Sequence, residues 1–462
     1  MSSAKELKEK LAYKPKNGLL RVSEEEKKQA FDFCEGYMRF LDDAKTEREA
    51  VEAAVKIAEN AGFTAYEPGR KYQTGEKYYV NNRGKSAAFV VIGKKDVSNG
   101  VCIGAAHIDS PRLDLKPNPL YEDIELAMLK THYYGGIKKY QWTAIPLALH
   151  GVFVKKNGET VKVKIGEDEN DPCFVISDLL PHLAQEQSKR TLSDGIRGEE
   201  LNILIGSCPF KDDSESELVK LNILNILYEK YGVTEEDFLS AELEIVPAFK
   251  ARDIGFDRSM IGAYGHDDRV CAYPSLMACI ECGVPEKTAI CILADKEEIG
   301  SVGNTGLNSD FVKHVISDIA RAQNIEPEDA MRASQCLSAD VNAAVDPTFQ
   351  DVFEKKNASF LNYGVVITKY TGARGKSGSN DASAEYMGQI RAMLDNANVV
   401  WQIGELGKVD IGGGGTVALY IAGLGINTVD LGVPVLSMHA PFETVAKLDV
   451  FMAYRAMQEF FN

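Results

Sequence analysis

The sequence lacks any long apolar segment. No stretch approaches 18 uninterrupted apolar residues, the length that a membrane-spanning helix needs. The first residues, MSSAKELKEKLAYKPKNG, are charged and contain no apolar segment of the kind found in secretory signals. We therefore expect a cytoplasmic protein without a membrane partner.

Positive charge is also scarce. The chain has 52 lysines and arginines against 68 aspartates and glutamates, which gives a formal net charge of −16. Nucleic-acid-binding proteins carry a basic surface that pairs with phosphates. The charge balance therefore argues against a nucleic-acid partner, although it does not exclude a local basic pocket for a small substrate.

A disulfide framework is a further feature that the sequence does not suggest. The nine cysteines are scattered through apolar segments, as is typical of buried thiols in a reduced compartment. Cys279 and Cys282 form a CxxC pair, but no second pair accompanies them, and they lie in an apolar segment that is predicted to be helical. We interpret them as packing residues rather than as zinc ligands or redox partners.

The order of predicted elements indicates an α/β protein. With 462 residues the chain exceeds one ordinary core, so two domains or a large insertion are expected. Residues 23–63 show helical periodicity, and Ser23 with Glu26 resembles a capping box. Further helices are predicted at 270–282, 306–322 and 381–395, and strands at 87–93, 101–106, 289–294, 335–339, 364–369 and 416–422. This alternation predicts a mostly parallel sheet with helices on both faces.

Residues 117–249 have a different character. Short β-like segments such as GVFVKK and VKVKI alternate there with polar turns, without the regular strand–helix alternation. We interpret this part as an inserted β-rich domain. The remaining residues, 1–116 and 250–462, would then form one discontinuous catalytic domain.

Residues able to bind metal follow several of the predicted strands. In parallel α/β sheets, ligands bind beyond the carboxyl ends of the strands. The residues found at or near such ends are His107, Asp267, Glu298, Asp340 and His439. Imidazole nitrogen and carboxylate oxygen are zinc ligands, and five such groups suffice for a paired site with one bridging carboxylate.

Each of these residues also has an ordinary structural explanation. His107 could be a satisfied core histidine, Asp340 a helix N-cap, and the aspartate pair at 267–268 a solvated turn. His266 is not excluded by spacing, but a carboxylate, unlike an imidazole, can bridge two cations. The coincidence of five such ends favours a metal site. Asp109 is placed to accept a hydrogen bond from the second ring nitrogen of His107, which would fix the orientation of the ring.

Six segments together resemble a known family. AAHIDSPRLDLKP, GHDDR, DKEEIGS, SAD followed by VNAAVDPTF, KYTGARGKSGSNDASAE and SMHAPFE occur in this order along nearly the whole chain. They resemble the aspartyl aminopeptidase family of dinuclear-zinc exopeptidases, and its bacterial members in particular. The resemblance implies a zinc-exopeptidase-like fold with two zinc ions per subunit, cobalt or manganese being alternatives.

The resemblance also implies a role for each candidate residue. His107 and Asp340 would hold one metal, Glu298 and His439 the other, and Asp267 would bridge them. Glu297 would be the general base, and Asp109 would orient His107. The insertion at 117–249 would form a dimer interface within a dodecamer.

Two further residues follow from the resemblance. His182, in LLPHLAQEQ, would contact the transition state in a neighbouring subunit, although Glu186 stands near the place of the family's second histidine. Lys369 would line the specificity pocket, where a cation suits an acidic N-terminal side chain of a peptide. A lysine at a strand end that extends into water is the ordinary alternative.

The chemistry therefore points first to an aminopeptidase. Two metals would activate a water, and a nearby carboxylate would move its proton to the leaving amine. A two-metal deacylase or other amidohydrolase acting on non-peptide amides is the nearest rival. A non-catalytic assembly protein with structural metals is the rival from another class, but it would not need Glu297 beside the ligand Glu298. The glycine run at 412–415 lacks the Lys-Ser/Thr that a phosphate-binding loop requires.

Overall fold

The computed structural model describes residues 3–212 and 214–462. Ten α-helices lie in this part of the chain: α1 (Ala4–Leu11), α2 (Glu24–Asp43), α3 (Glu47–Asn60), α4 (Leu218–Tyr231), α5 (His266–Glu281), α6 (Phe311–Ala322), α7 (Pro327–Arg332), α8 (Ala384–Asn396), α9 (Ala418–Gly423) and α10 (Lys447–Phe461). Ser23 begins α2 by accepting a hydrogen bond from the backbone N–H of Glu26. No described helix is long and apolar enough to cross a membrane.

Strands make up the rest of the regular structure. Over the same residues they are β1 (Thr64–Ala65), β2 (Lys77–Asn82), β3 (Ser86–Val91), β4 (Cys102–His107), β5 (Arg112–Asp123), β6 (Leu126–Tyr134), β7 (Leu147–Val154), β8 (Thr160–Ile165), β9 (Ile203–Gly206), β10 (Ala241–Pro247), β11 (Arg252–Ile254), β12 (Met260–Ala263), β13 (Ala289–Ala294), β14 (Gln335–Ser338), β15 (Asn342–Ala343), β16 (Val365–Thr368), β17 (Trp401–Ile403), β18 (Asn427–Gly432), β19 (Pro434–Leu436) and β20 (Glu443–Ala446).

The largest sheet has nine strands in the order β1-β2-β3-β13-β4-β14-β18-β16-β17. Its four central strands, β13, β4, β14 and β18, are parallel. The sheet as a whole is mixed, because β3 pairs antiparallel with both β2 and β13, and β16 pairs antiparallel with β18. The turn between β2 and β3 is too short for the crossover that parallel neighbours need. The α/β class is confirmed, and the parallel arrangement holds for the centre of the sheet.

Helices cover both faces of this sheet. Along β13, Cys291 and Leu293 pack into one core with residues of α2, α5 and α10, whereas Ile290 and Ile292 pack into another with residues of α6 and α7. This alternation arises because successive side chains of a strand point to opposite faces. Cys279 and Cys282 are buried at the end of α5 or just after it, and both are free thiols.

The strand predicted at 416–422 is wrong. This segment contains the short helix α9, Ala418–Gly423. Val417 and Ile421 pack into the core on one face of the sheet, and Ala418 is also buried. A short apolar run does not by itself distinguish a buried strand from a buried helix, and here the buried positions follow helical spacing.

Two smaller sheets complete the fold. A six-stranded antiparallel sheet has the order β8-β7-β10-β5-β6-β9 and its own core around the buried Trp142. It is built from residues between Arg112 and Pro247, so the boundary predicted at 116–117 falls inside β5. A five-stranded sheet, β11-β12-β20-β19-β15, contains the strands on either side of His439.

Candidate metal centre

The centre of the nine-stranded sheet brings three candidate ligands and the candidate base Glu297 to one edge. His107 is the last residue of β4, which lies between β13 and β14. Glu297 and Glu298 follow β13 by a few residues, and Asp340 follows β14. Because these three strands are parallel neighbours, their carboxyl ends meet at the same edge.

Asp267 lies between two histidines. Its Oδ1 is 3.2 Å from Nε2 of His107, and its Oδ2 is 3.1 Å from Nε2 of His439. His439 reaches this position from the loop between β19 and β20, with its Nδ1 2.7 Å from the carbonyl oxygen of Gly136. One carboxylate therefore presents one oxygen to each imidazole.

The other carboxylates surround this pair. Oδ1 of Asp340 and Oε2 of Glu297 each lie 3.9 Å from Nε2 of His107, and Oε1 of Glu298 lies 3.7 Å from Nε2 of His439. Three sets have potential ligand atoms within 4.8 Å of one another: His107 with Asp268 and Asp340, His107 with Glu297 and Glu298, and Asp267 with Glu298 and His439. The structure thus brings all five predicted metal ligands together, along with Glu297.

Local backbone conformation explains how adjacent residues reach this cavity. Glu297 and Glu298 lie in a single 3₁₀ turn between Lys296, at φ +68°, and Gly300, at φ +94°. The left-handed conformation at position 300 favours glycine. Asp267 and Asp268, at the start of α5, have non-helical dihedral angles and follow Gly265, at φ +77°. At these irregular ends the side chains do not follow the regular spacing of a strand or a helix, so adjacent residues can face the same cavity.

Asp109 contacts several groups of the candidate metal centre. Its Oδ1 accepts a hydrogen bond from the backbone N–H of Glu297 and its Oδ2 one from that of Glu298, both at 3.1 Å. Nδ1 of His107 lies 3.0 Å from the Asp109 carbonyl oxygen and 3.3 Å from its Oδ1. The carboxylate of Asp109 therefore contacts both the histidine ring and the segment that carries the two glutamates.

Burial and crowding shift the pKa values of this cluster. Burial, opposed by His107 and aided by Asp267 and Asp109, raises the pKa of Glu297 to about 7. Burial, followed by the charge of neighbouring carboxylates, raises the pKa of Glu298 and of Asp340 well above the usual range. Burial alone would lower the pKa of His439, but its hydrogen bond to Asp267 raises it to about 10. So many buried carboxylates favour a bound cation.

The donor set fits zinc. Two imidazoles and several carboxylates converge, and zinc accepts nitrogen and oxygen ligands. Within the described residues, Oε1 of Glu298 and Oδ1 of Asp268 are buried without a hydrogen-bond donor. A buried carboxylate oxygen without a partner is costly, and a metal ion would satisfy it.

Sequence reasoning missed several contributors. Tyr134 donates a hydrogen bond of 2.8 Å to Asp109. Glu443 accepts hydrogen bonds from the backbone N–H groups of His439, at 2.8 Å, and Asp267, at 3.2 Å. Glu443 follows His439 in the SMHAPFE segment, and Asp268 follows Asp267. Their closeness in sequence to predicted metal ligands could have marked both residues as contributors to the site. No comparable signal marks Tyr134.

His182 and Lys369 are not part of the cluster. His182 is exposed in the segment between β8 and β9 and, among the described residues, forms no hydrogen bond or ion pair with the metal-binding groups. Lys369 follows β16 and pairs through its Nζ with the carboxylate of Asp381, which also binds Lys376 at 3.1 Å. Both residues are exposed to solvent at least in part. The roles predicted for them stay predictions.

The imidazoles and carboxylates that converge at the carboxyl edge of a mixed sheet, with helices on both of its faces, are typical of a metal-binding α/β protein. Comparison with known proteins identifies the family. The family model described as aminopeptidase I zinc metalloprotease (M18) matches residues 40–461. The chain belongs to this M18 family of zinc aminopeptidases.

Individual relatives agree over almost the full length. A probable M18 family aminopeptidase 1 of Clostridium acetobutylicum is 50% identical over 455 residues, which cover 97% of this chain and 98% of the relative. The crystal structure of an M18 aminopeptidase from Thermotoga maritima superposes with a TM-score of 0.92 at 43% identity, covering 97% of this chain and 99% of that one. The crystal structure of aminopeptidase I from C. acetobutylicum also gives 0.92, at 46% identity, covering 98% and 100%.

Proposed function

We propose that the chain is a two-metal aminopeptidase in which Asp267 bridges the metals. The position of Asp267, with one oxygen near each histidine, is the observation that carries this proposal. His107 and Asp340 would complete one site, and Glu298 and His439 the other. Zinc is the metal that the donor set favours, with cobalt or manganese as alternatives.

Glu297 is the proposed general base. When bound, two metals would lower the pKa of a water molecule and polarise the scissile carbonyl. The Glu297 carboxylate takes the proton of the attacking water and returns it to the leaving amine. Its backbone N–H is held by Asp109, and its side chain, 19% exposed, is more open than those of Glu298 and Asp267. A structural metal site would not need this additional carboxylate.

One experiment separates this function from its nearest rival. The purified protein, with its metal content determined, is assayed on chromogenic aminoacyl-anilides and, in parallel, on N-acyl amino acids. We expect about two zinc ions per chain and hydrolysis only of substrates with a free α-amine. Hydrolysis confined to blocked amines would show a deacylase instead.

At the position predicted to select acidic residues, two lysines share one carboxylate, which leaves one positive charge in excess. Lys369 is engaged by Asp381, whose carboxylate binds a second lysine as well. A preference for aspartyl or glutamyl peptides would therefore draw on this excess positive charge. The same chromogenic panel, with aspartyl and leucyl substrates side by side, measures the preference.

We further propose that residues 117–249 form a dimerisation domain and that the protein is a homo-oligomer. Leu221, Ile226 and Tyr228 of α4 are exposed apolar residues, which supports a covered surface in an assembly. A Saccharomyces cerevisiae relative, 20% identical with a TM-score of 0.75, is described as a dodecamer. Light scattering on the purified protein would measure the number of subunits.

The segment around His182 supports a contact with a neighbouring subunit. Leu179, Leu180 and Leu183 are more than half exposed in the isolated chain. If His182 contacts the substrate of a neighbour, His182→Ala should lower kcat without changing the oligomeric state. An unchanged kcat would show that His182 takes no part in the reaction.

A further inference from the structure

Glu443 is a buried carboxylate beside the candidate metal centre, and its side chain has no role in the proposed reaction so far. The residue is 1% exposed. Its Oε1 accepts the hydrogen bond of 2.8 Å from the N–H of His439, and its Oε2 accepts the one of 3.2 Å from the N–H of Asp267. Among the described residues, the sets of potential ligand atoms at this centre do not include Glu443. Both of its oxygens therefore serve the backbone of two segments that carry proposed ligands.

The order of strands explains why one side chain contacts both segments. Glu443 is the first residue of β20, which lies between β12 and β19 in the five-stranded sheet. Both neighbours are antiparallel to β20, so each of them ends where β20 begins. The chain leaving β12 leads to Asp267, and the chain leaving β19 leads to His439. A side chain at the start of the middle strand thus lies between the two loops.

His439 has a backbone conformation that requires support. Its φ angle is +65°, in the left-handed region that residues other than glycine rarely adopt. Such a conformation persists only where the surrounding structure holds it. Two contacts do so here: the N–H of His439 binds Glu443, and its ring Nδ1 lies 2.7 Å from the carbonyl oxygen of Gly136. Together they direct Nε2 of the ring towards Asp267.

Glu443 resembles Asp109 in the way it is used. Asp109 accepts hydrogen bonds from two backbone N–H groups of the turn that carries the two glutamates. Glu443 does the same for the two remaining loops, those of Asp267 and His439. Groups that orient metal ligands without binding the metal contribute to its affinity, and their loss typically lowers that affinity by about 10- to 100-fold.

We propose that Glu443 is a positioning residue for the metal site that contains His439. It binds no metal itself but holds His439 and the bridging Asp267 in the geometry that this site requires. This inference rests on the proposed two-metal centre. A glutamine in its place could accept one of the two backbone hydrogen bonds, but its NH₂ group would face the second N–H, and two donors repel each other. The other proposed metal site shares only Asp267 with Glu443 and should be affected less.

Zinc titration of Glu443→Gln tests the proposal. The metal-free protein is titrated with zinc in competition with a chromophoric chelator, so that the two binding steps are resolved. We expect one of the two dissociation constants to rise by about 10- to 100-fold and the other to rise much less. Unchanged constants, or an equal rise in both, would contradict the proposal. Should this variant fail to fold, Glu443→Asp, which is one methylene shorter, is judged by the same outcomes.

Asp449→Asn is the matched control. The Asp449 carboxylate is also buried and accepts two backbone hydrogen bonds, from the N–H groups of Asn362 and Gly364, both at 2.7 Å. Neither donor belongs to a proposed ligand. This variant should unfold at a lower temperature in the presence of chelator, with both zinc dissociation constants unchanged. A selective rise in one constant in this control as well would show that the effect does not depend on Glu443.

A double variant shows whether Glu443 acts through His439. If it does, adding Glu443→Gln to His439→Ala should change zinc affinity much less than Glu443→Gln does alone, because residues that act together give non-additive effects. Fully additive effects would overturn the proposed role.

The titrations need no substrate, so they separate this inference from the proposed function. If the unmodified protein binds two zinc ions but cleaves no aminoacyl-anilide, the aminopeptidase function fails and the titrations still decide the role of Glu443. If it binds no zinc, both are overturned.

Discussion

The hydroxyl group of Tyr134 donates a hydrogen bond of 2.8 Å to Oδ2 of Asp109. Tyr134 is the last residue of β6, in the six-stranded sheet, whereas Asp109 follows β4 of the nine-stranded sheet. The guanidinium group of Arg112 lies 4.0 Å from the centre of the Tyr134 ring and pairs with Glu47 and Glu244, both at 3.2 Å. The two sheets are therefore connected at the residue that supports the metal centre.

Tyr134→Phe should impair catalysis without unfolding the protein. The variant removes one donor from the buried carboxylate that holds His107 and the Glu297 backbone. Loss of such an outer hydrogen bond typically costs about 10- to 100-fold in metal affinity or activity. Steady-state kinetics and zinc titration measure both quantities. Tyr133→Phe is the matched control, because Tyr133 is exposed and its hydroxyl makes no hydrogen bond with a described residue. Equal activity in the two variants would contradict this role.

Glu297→Gln and Glu298→Gln should have different consequences. The first variant removes the proposed base and should retain both metals while kcat falls by about 10²- to 10⁴-fold. The second removes a proposed ligand and should lower the metal content of the purified protein. Metal analysis alongside kcat distinguishes them. Full activity of the Glu297→Gln variant would mean that another group moves the proton.

Metal removal should destabilise the fold as well as abolish activity. Without a cation, buried carboxylates lie close to other carboxylates, Glu298 near Asp267 and Asp340 near Glu297 and Asp268. A ligand present at about a thousand times its Kd stabilises the native state by about 4 kcal/mol. Differential scanning calorimetry with and without chelator should show a lower Tm for the metal-free protein, and added zinc should restore both Tm and turnover. An unchanged Tm would indicate that the cluster binds no metal tightly.

Acid should weaken a second buried cluster in which Lys45 and His150 contact Glu167, at 2.7 Å and 3.0 Å. Burial alone would raise the pKa of Glu167, but the hydrogen bond from His150 and the charge of Lys45 lower it from 4.5 to about 2. Because the folded state holds this carboxylate ionised, its contribution to stability is full above about pH 5. That contribution is lost as pH falls through about 4.5 towards 2.

Glu167→Gln tests this dependence. Breaking a buried pair by removing one partner costs about 3 kcal/mol or more. Urea unfolding in the presence of chelator should show the difference from the unmodified protein at pH 6 and a smaller difference at pH 3. Glu169→Gln, at an exposed position nearby, should show little effect at either pH. A difference that does not change with pH would exclude the ionised carboxylate as the cause.

Most of the proposed metal ligands were predictable because they follow an apolar segment with a strand signal, whereas Asp267 precedes a predicted helix. The segment TAICIL before Glu297 and Glu298 corresponds to β13, and VCIGAA before His107 to β4. The contact between Tyr134 and Asp109 was not predictable, since it depends on how two sheets pack. The helix at Ala418–Gly423 was missed for a related reason: its apolar run is too short for its period to be read. The antiparallel positions of β3 and β16 depend on sheet order, which pattern alone does not determine.

The hydrogen bond from Tyr134 makes the six-stranded sheet a mechanical support of the proposed catalytic residues. A binding event on that sheet that moves β6 must also move the acceptor of this bond, Asp109, and with it His107 and the turn of Glu297. We therefore expect contacts made on that sheet and turnover at the metals to be thermodynamically linked, through this phenol group and through the carbonyl group of Gly136 that contacts His439. The Tyr134→Phe variant should weaken this link as well as slow the reaction.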